Sequence, residues 1–166
     1  DLPENFLVIS NHQSLLDIPC YMRFFKEKEP RFVAKDQLAR HVPLVSEMLR
    51  SQEHCCIPRK AKPMEAINYL GAFGRRVVER NQTPFLFPEG TRNGMEKNDG
   101  KLKNGATYMS LKSNAKIIPI GIKGEAKPFH KVTITYGKPL DFSKLLEGKT
   151  AKEVEDKASE ILRDEI

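Results

Sequence analysis

The sequence predicts an α/β layer fold, with a central, mostly buried sheet flanked by helices in a single domain. Three observations carry that expectation. Short apolar runs at 6–10, 85–87 and 117–122 have the length and composition of buried strands. Met64, Ile67, Leu70, Phe73, Val77 and Val78 recur at helical spacing between two of those runs. No internal repeat, low-complexity segment or linker divides the 166 residues, a length that suits one domain with a sizeable core.

Taken in order, Phe6-Leu7-Val8-Ile9-Ser10 reads as the first strand. Leu15, Ile18, Met22 and Phe25 then share one helix face. Pro19 is comfortable only in a first turn, so that helix is expected to begin nearer Asp17 than Ser14. Arg31 to Ala34 follow Pro30 as a short strand, and a short helical stretch passes through Leu38 and Ala39 before Pro43. Val42, Leu44, Val45, Met48 and Leu49 form a mostly apolar segment, read as a helix packing on the core or near an apolar ligand. Cys55-Cys56-Ile57 is a buried-strand candidate closed by Pro58-Arg59. The best helix in the chain, Met64 to Val78, follows, and then the strand Phe85-Leu86-Phe87, stopped by Pro88.

The stretch 94–105 is polar, contains the turn signal Asn98-Asp99-Gly100, and is the expected mobile loop. A helix from near Asn104 to Ser113 leads to the apolar strand 117–122, where Pro119 predicts an irregular or edge position. Val132, Ile134 and Tyr136 alternate with Thr133 and Thr135 as a half-buried strand. Thr150 and Glu153 make a capping box for a last helix with Val154, Ala158, Ile161 and Leu162 on one face.

Composition narrows the partners. Hydrophobic residues at 39% and charged residues at 30% fit a folded domain rather than a disordered one. No window approaches the roughly 18 consecutive apolar residues of a spanning helix, and no signal peptide heads the chain. The chain starts at Asp1 without Met and enters a strand almost at once. That start reads as the middle of a longer protein, with an N-terminal membrane-binding segment upstream. The net charge of +6 and pI near 9.2 attract nucleic acid, anionic lipid or phosphorylated small molecules. Nucleic acid is the weakest of these, because there is no Trp, no zinc-finger spacing and no arginine-rich run. Cys20, Cys55 and Cys56 make a poor disulfide framework and read as reduced packing residues in a cytosolic setting. No metal site is expected, since His54 with the cysteine pair lacks a second cluster to complete a ligand set.

Two stretches concentrate chemistry. In Asn11-His12-Gln13-Ser14-Leu15-Leu16-Asp17 a histidine sits where a strand ends and a helix begins. If the intervening residues turn, Asp17 reaches back to the His12 ring, and one carboxylate holding one imidazole makes a general base. Ser14 and Asp17 also match a capping box, so Asp17 has an alternative role as a helix cap. The second stretch is Phe87-Pro88-Glu89-Gly90-Thr91-Arg92-Asn93. Gly90 permits a close backbone approach, and Arg92 offers a planar fork suited to phosphate. An ordinary Pro-Glu-Gly turn with a solvated arginine is the alternative. If the two preceding strands share a sheet, their exits share an edge, the usual site in open α/β sheets. A base and a phosphate-binding arginine in one cleft suit transfer of a group to a hydroxyl on a phosphorylated substrate. His41, His54 and His130 lack informative partners and read as surface or packing residues. Arg75, Arg76 and Arg80 read as a solvated helix face, with contact to anionic lipid or an acidic carrier protein as a lesser alternative.

These residues resemble the motifs of the glycerolipid acyltransferases. Asn11 to Asp17 resembles the first motif, a histidine followed by four residues and an aspartate, and Phe87 to Arg92 resembles the third. Ile57-Pro58-Arg59 is similar to the second with Pro58 as a departure, and Ile117-Ile118-Pro119-Ile120 to the fourth. Phe32-Val33-Ala34-Lys35, Leu38, Pro43 and Lys103-Asn104-Gly105-Ala106 also fit the family, and the matches run in family order. The nearest subgroup is the 1-acylglycerol-3-phosphate (lysophosphatidate) acyltransferases. The resemblance implies that His12 deprotonates the sn-2 hydroxyl of the lysolipid, oriented and charge-stabilised by Asp17. Glu89, Gly90, Thr91 and Arg92 would bind the glycerol phosphate, with Arg59 and Lys35 adding positive charge. Pro119 would shape the acyl or acceptor pocket. The implied donor is a thioester of coenzyme A or acyl carrier protein, with no cofactor, no acyl-enzyme, and a site at the cytoplasmic face of a membrane. Glycerol 3-phosphate or another lysophospholipid is an alternative acceptor, and a non-catalytic lipid-binding module is the alternative of a different class.

Overall fold

The computed structural model describes residues 2–14, 16–35, 47, 51, 53–58, 60–90, 105–124, 131–143, 153, 157, 160 and 161. The elements run β1 (Phe6–Ser10), α1 (Asp17–Phe24), a 3-10 turn (Lys26–Lys28), β2 (Pro30–Lys35) and β3 (Cys55–Ile57). They continue with α2 (Pro63–Glu79), β4 (Thr83–Leu86), α3 (Gly105–Ser113), β5 (Lys116–Lys123) and β6 (Thr133–Tyr136). Six strands form one sheet in the order β3-β2-β4-β1-β5-β6. All pairings are parallel except β5 with β6. The expected α/β layer fold is therefore the observed one, and the exits of the five parallel strands fall on the same edge of the sheet.

The sheet is covered on both faces, as a mostly parallel sheet must be. Along β1, Leu7 and Ile9 join Leu70, Phe73 and Val77 of α2 and Ala106 and Met109 of α3 in one cluster. Phe6 and Val8 point the other way, into a cluster with Ile18 and Tyr21 of α1. Alternation of period two thus sends one strand's side chains into two separate cores. Phe142, buried in the first cluster, had no periodicity to mark it.

α2 and α3 approach closely because α2 carries glycines on its inner row. A Cβ at Gly74 would overlap the Met109 Cγ of α3, and one at Gly71 would lie 3.1 Å from the Lys112 Cγ. The N-terminus of α2 has Pro63 at its first position, and the Glu65 Oε2 accepts the Lys62 N–H at 2.9 Å. Met64, assigned to the apolar face by spacing, is 66% exposed in the first turn of α2.

Pro119 does not lie in an edge strand. β5 pairs with β1 through Ile9↔Pro119 and with β6 from Ile120↔Tyr136 onward. The missing N–H is accommodated on the β6 side. There the Pro119 carbonyl accepts the Gly137 N–H at 2.8 Å, and the next bridge joins Ile117 to Leu140. Three steps on β5 oppose four on the partner segment, a bulge that needs no donor from residue 119. Of the two alternatives the proline offered, the irregular strand is the observed one and the edge strand is not.

Other expectations divide. The last strand is more exposed than its alternation implies: Val132 and Ile134 are partly buried against the second cluster, while Tyr136 is 52% exposed at the sheet edge. Arg76 and Arg80 are not simply solvated. Arg76 donates to the Glu53 carbonyl at 2.9 Å and Arg80 pairs with the Glu53 carboxylate, which lowers its pKa chiefly through that hydrogen bond. His54 is a packing histidine, buried at 7% exposure, and its Nδ1 accepts the Phe32 N–H at 2.8 Å. His41, His130, all of 42–49 except Glu47, and 91–104 lie outside the described residues. Of the final helical pattern, Glu153, Lys157, Glu160 and Ile161 are described and helical, and Ile161 packs on the first cluster.

Candidate active site

The site forms where β1 and β4 leave the sheet side by side. The two strands are parallel with Val8↔Phe85 and Ile9↔Leu86 in register. Continuing that register sets His12 level with Glu89. The contact is made by a side chain: the Glu89 Oε1 accepts the His12 main-chain N–H at 3.0 Å. Glu89 is 2% exposed, and Gly90 follows with φ 68°, a left-handed turn that a Cβ would strain. The two motif stretches are therefore physically joined.

The His12 Nδ1 lies 3.0 Å from the Asp17 Oδ2. The same oxygen accepts the Gln13 and Ser14 main-chain N–H groups, both at 2.8 Å. A carboxylate is acceptor-only, so Nδ1 carries the ring hydrogen and Nε2 is left as the basic nitrogen. Asp17 is fully buried, and its Oδ1 has no partner among the described residues. The helix begins at Asp17, two residues before Pro19, as the proline predicts. The capping box is only half made: the Asp17 carboxylate takes the Ser14 N–H, while the Ser14 Oγ accepts the Leu16 N–H at 3.2 Å. The alternatives for Asp17 thus coexist on one oxygen atom.

Three further contacts were not foreseen. The His12 ring stacks on Phe87, with centroids 4.1 Å apart and planes 21° apart. The Asn11 side chain makes two hydrogen bonds with the main chain of Ile122 on β5, donating from Nδ2 at 2.9 Å and accepting at Oδ1 at 2.7 Å. The Ser10 Oγ donates to the Asn11 carbonyl at 2.9 Å and meets the Tyr21 hydroxyl at 2.5 Å. With the serine hydrogen committed to Asn11, Tyr21 is the donor. Burial is the main cause that holds the Tyr21 hydroxyl well above its usual pKa, with the Asp17 charge adding to it. A buried tyrosine needs a partner for its hydroxyl, and a polar residue at the end of an apolar strand was the available signal.

Lys35 ends β2 opposite Ile57 of β3, on the same sheet edge as Ser10 and Leu86. Its side chain, and Arg59, Thr91 and Arg92 altogether, lie outside the described residues. Among the described residues, no group of three or more His, Cys, Asp or Glu is arranged to hold a metal ion, and no helix is long and apolar enough to cross a membrane. Cys20, Cys55 and Cys56 form no disulfide, and burial pushes the Cys55 thiol up to about 12.

The chain is 32% identical over 158 residues to an uncharacterised acyltransferase of Schizosaccharomyces pombe, covering 90% of this chain and 55% of that protein. It is 30% identical over 130 residues to a 1-acyl-sn-glycerol-3-phosphate acyltransferase of Limnanthes alba, covering 76% and 44%. It is 27% identical over 117 residues to the human 1-acyl-sn-glycerol-3-phosphate acyltransferase beta, covering 69% and 40%. The chain thus spans about half the length, or less, of these curated relatives. The acyltransferase family model matches residues 1–123, which takes in the His12–Asp17 pair, the Glu89–Gly90 turn and five of the six strands. With that match the resemblance is settled, and the chain belongs to the acyltransferase family.

Proposed function

We propose that the chain transfers an acyl group from a thioester to the sn-2 hydroxyl of 1-acylglycerol 3-phosphate, forming phosphatidate. The observation that carries this reading is the His12–Asp17 pair held beside the Glu89–Gly90 turn on one sheet edge. The named relatives in Limnanthes alba and Homo sapiens support the choice of acceptor.

In the proposed reaction the Nε2 of His12 takes the proton of the acceptor hydroxyl as the oxygen attacks the thioester carbonyl. The tetrahedral intermediate collapses with loss of the thiolate of coenzyme A or acyl carrier protein, and the imidazolium returns the proton to that thiolate. Asp17 keeps the Nδ1 hydrogen in place and stabilises the imidazolium. Base assistance of this kind contributes roughly 10²–10⁴-fold. Glu89 holds the loop that carries His12, and with Gly90, Thr91 and Arg92 it frames the glycerol phosphate. Lys35, at the end of β2, and Arg59, two residues beyond β3 in sequence, add positive charge. The reaction takes place at a membrane surface, where both product and acceptor reside, and it needs no metal or cofactor.

An acceptor panel tests the reading. Free thiol is followed from an acyl-CoA in the presence of 1-acylglycerol 3-phosphate, glycerol 3-phosphate or a lysophospholipid without a terminal phosphate. Release with the first alone is the expected result. Release with glycerol 3-phosphate alone would move the acceptor assignment, and no release with any acceptor or acyl donor would favour a binding module.

A further inference from the structure

We propose that Asn11 is a positioning residue for His12, its side-chain amide fastening the end of β1 to β5 and so fixing where the imidazole stands. The inference rests on the acyl-transfer role given to His12 above. The β1–β5 ladder ends at Ser10↔Ile120. Continued by register, it would set Asn11 beside Gly121 and His12 beside Ile122. The main chain instead leaves the sheet after Asn11, because the Asn11 side chain takes the two Ile122 groups that the next ladder bonds would have used. Asn11 Nδ2 donates to the Ile122 carbonyl at 2.9 Å, and the Ile122 N–H donates to Asn11 Oδ1 at 2.7 Å. A primary amide offers a donor and an acceptor side by side, as a peptide unit does, so one side chain satisfies both main-chain groups.

The opposite side is held in the same way. Glu89 on the β4 exit replaces a ladder acceptor and takes the His12 N–H at 3.0 Å. The Ser10 Oγ, bonded to the Tyr21 hydroxyl, fixes the Asn11 carbonyl at 2.9 Å. The peptide between Asn11 and His12 is therefore held from β5, from β4 and from α1. Strand parity puts position 11 on the face of Leu7 and Ile9, where packing alone would call for an apolar side chain. An amide there, one bond upstream of the proposed base, serves the loop rather than the core.

The test is a double-mutant cycle on the full chain, read as thiol release from acyl-CoA with 1-acylglycerol 3-phosphate. Asn11→Ala is expected to lower kcat by about 10- to 100-fold, the scale of a small misplacement of a reacting group, with acceptor KM within about twofold. Asn11→Asp keeps the bond from the Ile122 N–H but opposes its carbonyl, and falls between wild type and Asn11→Ala. In a His12→Ala background, Asn11→Ala costs nothing further. Ser110→Ala controls for stability alone. It deletes the 2.5 Å bond from the Ser110 Oγ to the Ala115 carbonyl at the far edge of the sheet, and should lower the melting point while leaving kcat unchanged.

Wild-type kcat in Asn11→Ala, corrected for folded fraction, would overturn the proposal. So would an undiminished further loss when Asn11→Ala is added to His12→Ala. Failure of the acyl-transfer role itself shows separately, as full activity in His12→Ala alone.

Discussion

The Oδ2 of Asp17 stands 3.0 Å from the Nδ1 of His12 while accepting two main-chain N–H groups of the loop that joins them. One atom therefore shapes the turn and orients the ring.

Asp17→Asn separates the two duties. Its amide oxygen can still accept the loop N–H groups, but the negative charge that would stabilise an imidazolium is gone. A fall in kcat of about 10²–10⁴-fold is expected, the range of general-base assistance, with a small loss of stability. Asp17→Ala leaves the Gln13 and Ser14 N–H groups without their acceptor and should lose a further ~1–3 kcal/mol of stability. Urea titration beside kcat checks both.

Glu89 is expected to behave as a loop anchor. Glu89→Gln retains an oxygen for the His12 N–H and should cost under about 1 kcal/mol. Glu89→Ala leaves that N–H without its side-chain acceptor and should cost ~1–3 kcal/mol, together with most of kcat. If Glu89→Ala alters only the acceptor KM, at unchanged stability, its part in holding His12 is wrong.

Burial, with a smaller contribution from Arg31, lowers the pKa of His54 from 6.5 to about 4. The neutral ring is the form that accepts the Phe32 N–H. Because the folded pKa is depressed, the unfolded chain binds more protons between these values, and stability falls as pH drops from about 6.5 toward 4. Over that interval the loss approaches ~3 kcal/mol, about 2 of it by pH 5. His54→Asn keeps an acceptor near Nδ1 without the titration. Its stability relative to wild type should be constant above pH 7 and improve steadily below pH 6, read from urea midpoints.

Gly71 and Gly74, about 4.5 Å of helix rise apart, should respond oppositely to alanine. At Gly74 the new methyl meets the middle of the Met109 side chain, and overpacking of ~1–3 kcal/mol exceeds the gain in helix propensity. At Gly71 the neighbour is the Lys112 Cγ at 3.1 Å, part of a flexible chain, so Gly71→Ala should be neutral or stabilising by up to ~1 kcal/mol. Thermal melts of the two variants decide it.

Much of this was legible before the structure. Strands and helices declared themselves because a buried strand and a half-buried helix impose periods of two and 3.6 on the apolar residues. Pro19 marked the start of α1 because only a first turn tolerates a missing N–H, and the spacing of His12 and Asp17 marked a carboxylate within reach of a ring. The sheet order was not legible, since β4 inserts between β1 and β2 through pairings 77 and 53 residues apart in sequence, Val8 with Phe85 and Phe32 with Phe85. The hydrogen bonds that hold His12 share that difficulty. Asn11 to Ile122 and His12 to Glu89 span 111 and 77 residues, and nothing local to Asn11 or Glu89 names the partner. Tyr21 was missed because the helix pattern was drawn through Leu15, Ile18, Met22 and Phe25, while the buried face carries a tyrosine whose hydroxyl is satisfied by Ser10.

The central claim is that His12 is the base of an acyl transfer to 1-acylglycerol 3-phosphate. The most direct test is the rate of thiol release from acyl-CoA with that acceptor, wild type against His12→Ala, at matched folded fraction. The account predicts a wild-type rate that depends on the acceptor and a loss of roughly 10²–10⁴-fold in His12→Ala. Equal rates in the two proteins would contradict it.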